Sequence, residues 1–91
     1  MSVERLLAEL KKHVKNYELI TTEPFIIIIN DDEYPVDHFA IYEERKRACY
    51  YFKHSVLRKS EKIVREEREK IDSFLKKLGF EPYSKDIQAF L

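Results

Sequence analysis

The sequence predicts an α+β fold, and three observations carry that expectation. An apolar stripe at helical spacing opens the chain, a β-branched and aromatic block fills its centre, and a longer helical pattern follows. Helices flanking a run of strands pack most simply on one face of an antiparallel sheet. The 91 residues suffice for one domain and are too few for two. We expect that domain over 1–82 and a C-terminal tail over 83–91.

The first element is a helix over 3–17. Val3, Leu6, Leu7, Leu10, Val14 and Tyr17 recur at spacings of three and four, which places them on one stripe. Ser2 stands as its N-cap, and Glu4 puts negative charge in the first turn. Lys11, Lys12 and Lys15 fall near the C-terminal end, where cations are favoured.

A three- to four-stranded antiparallel sheet comes next. Glu18 to Thr22 and Phe25 to Asn30 are rich in β-branched and aromatic residues, with Pro24 between them. Phe25-Ile-Ile-Ile-Ile29 is apolar throughout, so this strand is covered on both faces or uses one face for association. Asn30-Asp31-Asp32-Glu33 reads as a turn. Tyr34 to Tyr42 and Arg47 to His54 form a hairpin around Glu43-Glu44-Arg45-Lys46. That loop has no Gly, Asn or Asp and is good helix composition, so the alternative is a helix across 37–54 and a mostly-α chain.

The long helix spans 56–78. Leu57, Val64, Ile71 and Leu78 repeat every seven residues, flanked by Val56, Ile63, Phe74 and Leu75. Ser55 is placed to cap it, and Gly79 stands where a left-handed C′ residue belongs. Phe80 would then fold back onto Leu75, and Pro82 prevents continuation. The stretch Arg65 to Lys70 is fully charged, a solvated face held by pairs such as Glu66 with Lys70. Tyr83 to Leu91 reads as a last helical turn capped by Ser84.

Composition bounds the function. With 44% hydrophobic and 13% aromatic residues the chain can build a core despite 37% charge. One cysteine excludes a disulfide scaffold and a Cys-rich zinc site. No run approaches the ~18 apolar residues of a membrane span, so no membrane partner is expected. The opening Met-Ser-Val-Glu-Arg lacks the apolar core of a signal peptide, and we expect a cytoplasmic protein. Gln occurs once, Asn twice and Gly once among many Lys and Glu, which fits a hot environment. A small core under that demand is often reinforced by homo-oligomerisation.

The formal net charge is zero, and it hides a segregation. Residues 17–44 carry eight acids and no Lys or Arg, whereas residues 45–65 carry eight bases against Glu61 alone. The blocks neutralise each other across strands, or the basic block meets phosphates. In the second case Arg45, Lys46, Arg47, Lys53, Arg58, Lys59 and Lys62 are the nucleic-acid-binding candidates, with Tyr50 or Tyr51 for base stacking.

The order helix, three antiparallel strands, helix over roughly 3–78 resembles the double-stranded-RNA-binding domain. That resemblance implies phosphate contacts at the start of the second helix, where Arg58, Lys59 and Lys62 stand. The loop Asn30–Glu33 is acidic where that family carries glycine and proline. The tail Ser84–Leu91 resembles the peptide with which replication and repair proteins dock on a sliding clamp. Ile87, Phe90 and Leu91 match its apolar spacing and are the partner-binding candidates, with Ser84 at the position of its glutamine.

Chemistry is thinly supported. Glu44-x-Lys46 has the spacing of a metal-dependent nuclease pair, with Asp37 or Asp32 as a further acid, but such triplets are common in charged chains. His13, His38, His54, Asp37 and Cys49 lack ligand spacing, although His38 and His54 could meet across the hairpin. Cys49 within a strand reads as a buried inert thiol, and a single Gly makes a nucleotide-cradling loop implausible. The expectation is therefore a non-enzymatic binding protein without cofactor or metal. It would be a regulator, inhibitor or accessory subunit, acting through protein contacts as a homodimer.

Overall fold

The structure, a computed structural model, describes residues 2–84. The elements are α1 (Ser2–Leu10), β1 (Tyr17–Ile20), β2 (Phe25–Ile29), β3 (Val36–Tyr42), β4 (Arg47–Phe52), α2 (His54–Leu57), α3 (Glu61–Lys77) and β5 (Glu81–Ser84). They form one five-stranded sheet in the order β1-β2-β3-β4-β5, with the first four strands antiparallel and β5 parallel to β4. This is an α+β architecture with a mixed sheet.

Burial follows the predicted periodicity more closely than helix length does. Val3, Leu6, Leu10 and Val14 are all buried in one core with Ile27, Ile29, Phe39 and Ile41. Yet α1 ends at Leu10, seven residues before the expected end. Lys12 N–H bonds Glu9 O and His13 N–H bonds Leu10 O, a tightening turn that frees the chain to enter the sheet at Tyr17. The N-terminus of α1 is capped from far along the chain: the Glu43 carboxylate accepts from Val3 N–H at 3.2 Å.

The hairpin reading of 34–54 holds and the helical alternative fails. Val36–Tyr42 pairs with Arg47–Phe52 around the turn 43–46. The turn works without Gly because Lys46 adopts the left-handed conformation, with φ of 54°.

The long helix is two helices. Ser55, expected as its cap, lies inside α2, whose N-cap is Lys53. The break comes at Arg58–Ser60, and Ser60 Oγ accepts from Ile63 N–H at 3.4 Å to start α3. The end matches expectation: Gly79 has φ of 87°, and Phe80 N–H and Gly79 N–H bond Leu75 O and Lys76 O.

That reversal delivers the main difference. Tyr83 and Ser84, expected to begin a helical turn, lie in β5, so the sheet runs through Ser84 and past the expected boundary at 82. β4, α2, α3 and β5 make a crossover of the length a parallel pair requires. Pro82 is tolerated because β5 is an edge strand. The helix–three-strand–helix layout is thus extended by two strands, a fourth antiparallel one and the parallel β5, beyond what the double-stranded-RNA-binding likeness implied. The remainder of the tail, with Ile87, Phe90 and Leu91, lies outside the described residues.

Candidate protein-contact surface

Register sorts the strand residues onto two faces. Tyr17 and Leu19, Ile27 and Ile29, Phe39 and Ile41, Ala48 and Tyr50 share the inner face. Most of these join the core with α1 and α3. The outer face carries three cross-strand rows. The first is Glu18, Ile28, His38 and Tyr51. The second is Ile20, Ile26, Ala40, Cys49 and Tyr83. The third is Tyr42, Arg47 and Glu81. None of the residues on these rows belongs to the core cluster, and Ile26, Ile28 and Tyr51 are half-buried. The all-apolar strand 25–29 therefore puts Ile27 and Ile29 in the core and Ile26 and Ile28 on a half-buried outer face.

The open edge is β1. Leu19 on the inner face and Ile20 on the outer face are each 42% exposed, whereas Tyr17 on the inner face packs against the core. Opposite it, β5 carries Pro82 and an exposed Glu81, both of which discourage further pairing.

The basic candidates separate into two groups. Arg45, Lys46 and Arg47 lie in or next to the β3–β4 turn, where Glu43 and Glu44 share the turn and Glu81 stands opposite Arg47. Lys53, Arg58, Lys59 and Lys62 lie past the far end of β4, about 20 Å away along the strand. Lys53 is structural: its Nζ donates to the carbonyls of Asp31 and, at 2.7 Å, Tyr34. Arg58, Lys59 and Lys62 are exposed around the α2–α3 break. Lys59 there borders a small cleft of about 130 Å³ together with Asp32, Glu33 and Glu67.

The catalytic candidates are also dispersed. Glu44 and Lys46 occupy the turn 43–46, while Asp37 lies at the other end of β3. His38 pairs with Tyr51 instead of His54, stacking on its ring at 4.2 Å and bonding Asp37 Oδ2 at 2.8 Å. Cys49 is buried, as expected, although on the outer face. Among the described residues no three His, Cys, Asp or Glu side chains are placed to share a metal ion, and no helix is long and apolar enough to cross a membrane.

Two features were not anticipated. Tyr50 is fully buried and its hydroxyl donates to Asp72 Oδ1 at 2.7 Å, tying β4 to α3. Burial, and then the Asp72 bond, pushes this hydroxyl far above the ordinary tyrosine range. A cleft of about 440 Å³ opens between α1 and the β1–β2 turn, floored by Leu7, Phe25 and Ile41 and rimmed by Glu4, Glu23 and Glu43. Comparison with known proteins adds nothing to this geometry: no family model, no curated protein and no solved structure matches the chain.

Proposed function

We propose that this is a small non-enzymatic binding protein, a regulator, inhibitor or accessory subunit, that acts through protein contacts as a homodimer. The observation that carries the reading is the open strand β1, with Leu19 and Ile20 both 42% exposed at the rim of an apolar sheet face. Exposed strand edges pair with other strands, and folded proteins that must stay monomeric blunt them. The half-buried apolar side chains of Ile26, Ile28 and Tyr51 on the outer face support the same reading.

Sedimentation equilibrium at micromolar concentration tests it. The expected mass is twice the 11.0 kDa of the chain. A single species at 11.0 kDa across that range would overturn the homodimer.

A further inference from the structure

We propose that the cleft between α1 and the β1–β2 turn binds an aliphatic diamine or polyamine, a chain of methylenes with an ammonium at each end. This site is independent of the homodimer reading and stands or falls apart from it.

Shape is the first support. At about 440 Å³ the cleft falls within the range of about 300–1,000 Å³ that small-ligand sites occupy. Its floor is apolar and drawn from three elements. Phe25 of β2 and Ile41 of β3 are register partners, and Leu7 of α1 lines the same floor. Leu7 and Phe25 also pack against the core, so a ligand meets a surface that is already built.

Charge is the second. The described lining residues include Glu4, Glu23 and Glu43 and no Lys, Arg or His. Glu43 Oε2 accepts from Val3 N–H at 3.2 Å, which answers the positive end of α1. None of the three carboxylates has a cationic partner among the described residues. Like charges left around a low-dielectric floor attract a counter-ion. Their placement decides which kind. Among the described residues no three acidic side chains are gathered to share a metal ion, so a point charge is a poor match. The three come from α1, the β1–β2 turn and the β3–β4 turn, around an apolar floor. That arrangement suits ammonium groups held apart by methylenes, with the methylenes on Leu7, Phe25 and Ile41. Alkyl amines are protonated at neutral pH, as lysine is. A neutral hydrocarbon leaves the rim unanswered, and a monoamine answers one end only.

Amide NMR at pH 7 tests the site, with 1,6-diaminohexane as the probe and hexylamine and MgCl2 as comparisons. Diaminohexane should give saturating shifts at Leu7, Thr22 and Phe25, and should bind about 3- to 10-fold more tightly than hexylamine. The Glu4→Gln/Glu23→Gln variant changes two exposed side chains and should weaken diaminohexane by about 5- to 10-fold. Equal affinity for hexylamine overturns the two-ended ligand. The same shifts with MgCl2, or equal shifts at the acidic turn 31–33, reduce the effect to general cation attraction and overturn the site. Unchanged affinity in the double variant also overturns it, as does the lack of any saturating shift at the cleft. Cleft shifts that follow protein concentration without diamine assign the cleft to a second copy and overturn the proposal.

Discussion

Tyr50 shows how one buried polar group joins elements that local sequence does not connect. Its ring lies in the core, edge-on to Phe52 at 5.4 Å, while its hydroxyl reaches Asp72 on α3. Tyr34 is comparable: burial, with Glu67 nearby, pushes its hydroxyl up to about 12. Both groups are acids with a raised folded-state value. The unfolded chain releases these protons near pH 10, while the folded chain retains them. Stability is therefore full below about pH 10 and is lost as pH rises from there toward the folded values. Tyr50→Phe should lower stability at neutral pH by about 1–2 kcal/mol, because Asp72 loses a donor in a half-buried place. The same variant should fall less steeply above pH 10. Denaturant unfolding from pH 7 to 11 checks both, and equal slopes would remove Tyr50 from the alkaline transition. Sequence reading placed Tyr50 on a strand but offered no reason to join it to a residue on α3. Such a contact depends on how α3 returns across the sheet, and no spacing rule encodes it.

At the scale of elements, buried stripes were readable, as was the ending of α3 at Gly79, but the other helix ends were not. Apolar spacing marks which residues seek the core, and Leu6, Leu10, Ile71 and Leu75 are buried as it required. Ends depend on which of several competing caps wins. Ser55 and Ser60 both precede helical pattern, and the side chain that bonds a helix N–H is that of Ser60. Ser60→Ala should destabilise by about 0.5–1 kcal/mol, the lower part of the capping range because the bond is long at 3.4 Å. Ser55→Ala, exposed within α2, should change stability by less than about 0.5 kcal/mol. Thermal or denaturant melts of the two variants decide between the caps, and equal losses would contradict the break between α2 and α3. β5 escaped the sequence for a related reason. Four residues with a proline have no strand signal of their own, and pairing with β4 becomes available only once the turn at Gly79 has returned the chain. β1 was readable as a strand, but its place at the sheet edge, which leaves Leu19 and Ile20 exposed, is a property of strand order.

For the whole molecule, the question is how the fold distributes two opposed charge blocks. It interleaves them at the sheet ends. Glu43 and Glu44 share a turn with Arg45 and Lys46, Arg47 stands opposite Glu81, and Lys53 is anchored on the acidic turn 31–34. The described ion pairs Glu9–Lys12 and Glu67–Lys70 each join residues three apart, and the Asp37–His38 contact joins chain neighbours. Their side chains are largely solvent-accessible, and surface pairs of this kind contribute about 0–1 kcal/mol each. The Lys- and Glu-rich composition thus supports an evenly charged surface here more than a long-range network. Screening then has little to remove from the fold. Raising NaCl from 0.05 to 1 M shortens the screening length from about 14 to 3 Å. It should change the unfolding free energy by less than about 1 kcal/mol. The measurement is urea unfolding at fixed protein concentration across the salt series. A fall of several kcal/mol would show that the acidic and basic blocks hold each other across the sheet, and that the zero net charge is a structural element in its own right.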